Sequence, residues 1–444
     1  MSKVSLMRKK KLKIAVIGSG IAGLSASWLL SRSHNVALYE KDSRLGGHSN
    51  TIDVRVDDKI VPVDTGFIVY NETNYPNLVK LFDFLSVPTQ PTSMSFAVSF
   101  DGGSFEWGSQ NLNTLFGQRK NIFDVKFWTM IGEIRRFFSG AERFLEKLPS
   151  ADELTLASLL EEMKLGKYFI KNFILPMGAA IWSSSRQDIL DQPATTFISF
   201  FSSHGLLRLQ NRLPWRTVSG GSKQYVRKFS EILGSAIRLS CGVDQIKRYS
   251  NYVEIRDDKG KLGHYDAVVL ATHADQALDL LVDPDKEEKN ILQAFRYKKN
   301  QVVLHSDPRL MPQRKRMWSS WNFMGDQNST SCVTYWMNLL QSIDQRLPLF
   351  VTVNPSVEPG DTLVHQTFVY DHPQFDLRAW RAQRQLWSLQ GKRNTWYCGS
   401  YFGHGFHEDA LQSGLAAAES LGGKKRPWKI GRDSDRIYRQ LEFG

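Results

Sequence analysis

Gly18, Gly20 and Gly23 stand at the spacing Gly-x-Gly-x-x-Gly, and Glu40 follows Gly18 by 22 residues. Residues of these types in this pattern suit the pyrophosphate and ribose of a dinucleotide. Gly18 permits a tight turn, Gly20 lets a pyrophosphate come close to the backbone, and Gly23 lets a helix lie near the preceding strand. Ser19, Ile21 and Ala22 complete the turn, whose helix N-terminus offers unpaired N–H groups and a positive dipole end to phosphate. Glu40 is an acceptor for the two ribose hydroxyls. The elements that must hold these groups are also readable. Lys13–Ile17 is a short β-branched run suited to a buried parallel strand, and Ile21–Leu30 is an apolar helix opening on the glycines. Val36–Tyr39 is a second strand that delivers Glu40.

The same fingerprint serves FAD and NAD enzymes, and the residues after Glu40 separate them. Lys41-Asp42-Ser43-Arg44-Leu45-Gly46-Gly47-His48 resembles the E-x-x-x-R-x-G-G segment of FAD enzymes, and Asp64-Thr65-Gly66-Phe67 resembles their D-x-G step. Val218-Ser219-Gly220-Gly221 precedes an expected helix at Ser222–Leu233, and Tyr265–Thr272 is a buried strand ending in small residues. Thr395–Gly399 leads through Gly403, Gly405, Glu408 and Asp409 to the small-residue stretch Ser413–Ala418. Together, over residues 12–422, these segments resemble the amine oxidase-like FAD superfamily of amine oxidases, phytoene desaturases and protoporphyrinogen oxidase. A narrower likeness is to bacterial flavoproteins carrying V-L-H-x-D-x-x-L-M-P, T-Y-W-M-N and G-F-H-E-D, here Val303–Pro312, Thr334–Asn338 and Gly405–Asp409. That subgroup is linked with cyclopropane-type and furan fatty-acid modification.

The resemblance implies an α/β fold. A Rossmann-like FAD-binding domain of the GR2 type, at 12–100, 212–275 and 390–422, would be interleaved with an α+β substrate-binding domain at 101–211 and 276–389. Basic tails at 1–11 and 423–444 would flank both. The resemblance also assigns cofactor contacts beyond the first fingerprint. They are Glu40, Lys41, Arg44, Gly46, Gly47, His48, Thr65, Gly66, Phe67, Val243, Ala271, Thr272, Gly399, Glu408, Asp409 and Leu411.

A flavin carries the redox step itself, so the protein has to position a bond and handle a proton. In resembling amine oxidases a lysine holds a water at flavin N5, at the start of the strand that here reads Asn300–His305. The alignment puts Gln301 there, just after Lys298 and Lys299, which counts against simple amine oxidation. His305, His404 and His407 are the candidate acid–base groups, since imidazole titrates near neutrality, with Tyr335 and Tyr70 behind them. No metal is expected. His404-x-x-His407 lacks a third ligand, and Cys241, Cys332 and Cys398 have no metal-ligand spacing. His305-Ser306-Asp307 lacks the G-x-S-x-G elbow of a hydrolase. Cys398 raises covalent flavin attachment, but its place just before Gly399 does not match the attachment site of the resembling enzymes. Phe197–Phe201 and Trp318–Phe323 are aromatic runs that read mainly as core, and also suit the lining of an acyl pocket.

Length and composition bound the rest. A chain of 444 residues, 41% hydrophobic and 12% aromatic, can build two sizeable cores. The sparse, odd cysteine count and an N-terminus without a secretory pattern lead us to expect a cytoplasmic protein, peripheral at the inner membrane face. Of the net charge of +12, residues 1–13 supply six Lys/Arg with no acid, and 424–444 supply seven Lys/Arg against three Asp/Glu. Such ends serve solubility or contact with an anionic membrane. Nucleic acid is excluded as a partner by the lack of any recognition motif. The expected activity is an FAD-dependent oxidoreductase drawing hydride from a C–C or C–N bond to flavin N5, on a small-molecule or lipid, preferably fatty-acyl, substrate. The alternatives are an amine or amino-acid oxidase, with Arg186 or Arg208 as carboxylate binder, and a non-catalytic flavin-binding partner of a lipid methyltransferase.

Overall fold

Strand Lys13–Ile17 pairs in parallel with Asn35–Tyr39 on one side and Ala267–Leu270 on the other. Ile237–Arg238 and Thr395–Tyr397 extend the sheet at its two edges, also in parallel. Near-continuous apolar sequence in the central strands is what a parallel sheet covered on both faces demands, and Ile14, Val16, Val268 and Val269 are fully buried. The computed structural model describes residues 11–56, 58–146, 154–207, 213–326, 331–431 and 435–439. The expected basic tail at 1–11 therefore lies, but for Lys11, outside the described residues, as does Arg208.

The chain forms two compact units, divided at Gly47/His48, Tyr225/Val226, Gln293/Ala294 and Arg381/Ala382. The first holds the parallel sheet. It also holds an antiparallel sheet of Val243–Arg248, Val253–Asp257 and Leu262–Tyr265. Helices Ile21–Ser31 and His407–Ser420 cross closely, because Gly414 leaves room: a Cβ there would lie 2.3 Å from Ala22 O. Residues 48–100, expected among the FAD-binding pieces, cluster instead with the second unit.

The second unit is α+β. Its seven-stranded sheet runs Val364–Gln374, Arg296–His305, Phe350–Val353, Ser331–Trp336, Trp321–Gly325, Phe96–Phe100, Phe105–Gly108. All neighbours are antiparallel except Trp321–Gly325 with Phe96–Phe100. The strand expected at Asn300–His305 begins four residues earlier. Its polar first half is held by a ten-residue ladder to Val364–Gln374, which no local pattern announces. Helices Pro76–Leu85, Val125–Glu146, Leu156–Glu162, Leu175–Trp182 and Ala194–Ser203 and two smaller sheets also belong to the unit. Here Phe197 and Phe201 are fully buried and stacked at 4.3 Å, so this aromatic run is core.

Candidate functional site

In the first unit the glycine turn has the geometry its sequence implied. Gly18 takes φ +98°, and a Cβ there would stand 2.8 Å from Ala271 O. A Cβ on Gly23 would lie 1.9 Å from Gly18 O, so only hydrogen fits between helix and turn. Gly20 is different: a Cβ built on it meets nothing within 4 Å. That open space sits at the helix N-cap, where no side chain takes up the first-turn N–H groups. A cradle with free donors and a dipole end is what a pyrophosphate requires, and these residues fit FAD.

Glu40 does more than its spacing implied. It is buried, and its carboxylate accepts from Ser19 N–H (2.9 Å), Ser19 Oγ (2.5 Å) and Asp42 N–H (2.9 Å). It thus braces the turn, with lone-pair capacity left for ribose hydroxyls. Gly46 N–H donates to Ser19 O at 3.1 Å, and Arg44 Nη1 donates to Gly47 O at 2.9 Å, closing the second glycine pair onto the first. Lys41 is exposed. Val243 opens the antiparallel sheet, Ala271 N–H donates to Ile17 O (2.9 Å), and Thr272 Oγ1 donates to His273 O.

Gly399 is tied to the helix His407–Ser420 by its N–H to Ser413 Oγ at 2.9 Å. Glu408, Asp409 and Leu411 are fully buried in the first turns of that helix. Asp409 accepts from Phe406 N–H (2.8 Å) and faces Arg436 at 3.3 Å, so its side chain serves the helix start. His404 and His407 lie on this loop and helix end. Burial lowers both below the ordinary imidazole range, His407 to about 3. A lowered imidazole favours the neutral ring, which can accept a proton. Cys398 is fully buried, and burial pushes its thiol far up, which removes the thiolate that covalent chemistry needs.

In the second unit Thr65 N–H donates to Asn50 O (2.9 Å), and Thr65 Oγ1 meets Tyr370 Oη (2.8 Å). Gly66 lies so near His48 that a Cβ would stand 2.2 Å from its carbonyl oxygen, and Phe67 N–H donates to that same oxygen. The D-x-G resemblance marked Asp64, but not its hydrogen bonds. Its buried carboxylate accepts from Ser222 N–H (2.9 Å), Ser222 Oγ (2.7 Å), Thr51 Oγ1 (2.6 Å) and Gln341 Nε2 (3.1 Å). The D-x-G step and the Gly220-Gly221 turn are thereby joined. Burial nonetheless raises Asp64 to about 6, against the hydrogen bonds that lower it.

Two catalytic assignments change. Gln301 is exposed and opposite the exposed Val369, on the outer face of its strand. The period-two alternation of strands puts Lys298 and Asn300 on the other face, opposite His372 and Tyr370. Asn300 Nδ2 is 2.8 Å from His372 Nδ1, and the His48 ring lies 5.0 Å from Tyr370 and 5.5 Å from His372. Lys298 is half-buried on this face. His305 is fully buried with both nitrogens in use. Asp307 N–H donates to Nδ1 (3.0 Å), which leaves Nε2–H to donate to Thr352 Oγ1 (2.7 Å), itself 2.8 Å from Thr334 Oγ1. It is a structural histidine.

Burial holds His305 down at about 4. Unfolded, the same ring takes its proton near 6.5, so below that pH the unfolded chain binds more protons. The stabilisation is present above about 6.5 and is lost as pH falls toward 4. At pH 5 the loss is about 2 kcal/mol from this ring alone. A His305→Gln variant should melt lower than wild type at pH 7 but lose less between pH 7 and 5, read by circular dichroism. Equal pH slopes would reject this account.

Tyr70 and Tyr335 are raised by burial and stay protonated. Arg186 is exposed on a short helix. Among the described residues no group of His, Cys, Asp and Glu could hold a metal ion, and no helix is long and apolar enough to cross a membrane.

A two-unit α/β fold with an open glycine turn at a helix N-terminus defines a dinucleotide-binding protein. The model of the flavin-containing amine oxidoreductases matches residues 21–421, and the chain belongs to this family of FAD-dependent oxidoreductases. Among solved structures it is similar to a CLA-producing fatty acid isomerase from P. acnes (TM-score 0.66, 13% identity, 94% of this chain and 99% of that one). It is also similar to putrescine oxidase bound to putrescine (0.66, 14%, 93% and 99%). Cyclohexylamine oxidase from Brevibacterium oxydans IH-35A is a third (0.67, 13%, 93% and 99%). These likenesses share the fold. No curated protein sequence matches the chain.

Proposed function

We propose that this FAD-dependent oxidoreductase acts on a fatty-acyl substrate, which gives up a hydride from a C–H bond and a proton from the neighbouring atom as a C–C or C–N bond is oxidised. The observation that carries the reading lies in the second unit. The strand face with Lys298, Asn300, His372 and Tyr370 continues into Val302 and Leu304, against which partly buried Ile52, Val69, Trp321, Tyr335 and Phe368 pack. Val302 and Leu304 are themselves buried core, and the partly buried apolar side chains beside this polar face would suit an alkyl chain with one reactive position.

The bound flavin supplies the hydride acceptor. Gly18, Ser19, Gly20, Ile21, Ala22 and Gly23 would hold its pyrophosphate, Glu40 its ribose, and Arg44, Gly46 and Gly47 would shape the next stretch. Lys298, rather than Gln301, is the group to hold a water or a proton near the reacting bond. Lys298 and the family's name equally favour amine oxidation as the second reading.

Anaerobic addition of unsaturated phospholipid or free fatty acid should bleach the flavin absorbance bands. Bleaching by primary amines and not by lipids would replace the acyl reading with the amine one. Bands unchanged by either would favour a non-catalytic partner of a lipid methyltransferase.

A further inference from the structure

Leu112, Phe123 and Val125 are 73%, 87% and 77% exposed, and Ile122 and Trp128 project with them. These five large apolar side chains come from one stretch: the turn Leu112–Leu115, the 3-10 turn Arg119–Phe123, and the start of the 22-residue helix Val125–Glu146. Burial inside the fold does not explain them. Phe116 and Phe127 anchor the stretch from below, and the Trp128 ring rests on Phe116 at 5.2 Å with Nε1 donating to Ile122 O (2.8 Å).

The charges around them are mostly positive. Arg119, Lys120 and Lys126 interleave with the apolar residues, and Asp124 is the one acid between Leu112 and Trp128. No carboxylate among the described residues pairs with Lys120 or Lys126, and Arg119 is spent on Phe116 O and Asn113 Oδ1. Gly117 lies against Met317, which brings the exposed Lys315 and Arg316 alongside. The positive end of the long helix points the same way. Beside Phe123 an open cavity of about 430 Å³, lined by Ser104, Phe105, Lys120, Asn121 and Asp124, has room for a headgroup.

We infer that residues 112–128, with Lys315 and Arg316, dock this protein on an anionic phospholipid surface. Phe123, Val125 and Leu112 enter the acyl boundary, Trp128 sits at headgroup level, and the cations meet lipid phosphates. A second copy of the chain does not suit this patch, because self-pairing would set like charges against each other. Vesicle binding reads this surface without turnover, whatever the substrate proves to be.

The holoprotein should co-sediment with phosphatidylglycerol vesicles at physiological salt, and weakly with phosphatidylcholine. A Phe123→Ser/Val125→Ser variant should lose roughly ten-fold or more in vesicle affinity while keeping its flavin spectrum. Lys120→Glu/Lys126→Glu should lose a similar factor, most strongly at low salt. Wild-type binding in both variants would overturn the inference. So would binding abolished only by replacing the basic residues of 1–13. Self-association removed by Phe123→Ser/Val125→Ser, without vesicle binding, would assign the patch to a second copy instead.

Discussion

Gly23→Ala is expected to strip the purified protein of FAD and lower its melting temperature. The added methyl carbon would stand 1.9 Å from Gly18 O and 3.2 Å from the Ala271 side chain. The first contact is impossible, and the obstacle is backbone, so the helix Ile21–Ser31 must move away from the turn by more than an ångström. Overpacking of this kind costs about 1–3 kcal/mol in stability. The larger effect is on the cofactor, since the displaced helix carries the N–H groups meant for the pyrophosphate. We expect FAD affinity to fall on the order of a hundred- to a thousand-fold, as two or three phosphate hydrogen bonds at about 1.5 kcal/mol each are lost. Gly20→Ala is the informative control. Its methyl meets no protein atom within 4 Å, so apoprotein stability should be unchanged while FAD binding weakens. Titration of both apoproteins with FAD, alongside melting curves, separates the two effects. Full FAD binding by Gly20→Ala would show that the open space is not where the cofactor sits.

Glu288→Ala should be the most damaging substitution in the first unit that touches no cofactor residue. Arg248 is buried between strand and helix, and Glu288 receives both of its terminal nitrogens, Nη2 at 2.9 Å. Asp283 takes the guanidinium's Nε at 3.0 Å. Tyr397 Oη (2.7 Å) and Asp285 N–H (2.9 Å) also donate to Glu288. Removing the carboxylate strands a buried guanidinium and a buried phenol together. The expected cost is about 3–5 kcal/mol, because the surviving charge keeps its desolvation penalty. Asp283 is partly exposed and covers only part of that loss. Replacing both partners, as Arg248→Leu/Glu288→Leu, should be less harmful than Glu288→Ala alone. Denaturant unfolding of the two variants decides it. A double variant as unstable as the single one would mean that the network is needed for itself.

Much of the first unit was legible in the chain because its determinants are consecutive. A tight turn needs hydrogen at Gly18, and a helix starting two residues later needs hydrogen at Gly23, so sterics within a dozen residues write the motif into sequence. The same holds for the strand ending at Glu40. The second unit reads less directly. Residue types there were visible, but not which way they face. Gln301 and Asn300 are neighbours with opposite fates, set by pairing with a strand some seventy residues away.

The sequence by itself determined the dinucleotide turn, since local backbone sterics dictate its glycines, and its resemblance to FAD enzymes pointed to the flavin and the family. Only the tertiary structure decided that His305 is spent on Thr352 and Asp307, that Asp64 joins two glycine turns, and that Lys298 shares a face with His372. It alone brought Leu112, Phe123 and Val125 to the surface among cations. Burial, hydrogen-bond saturation and strand phase are properties of partners far along the chain, and no local pattern carries them.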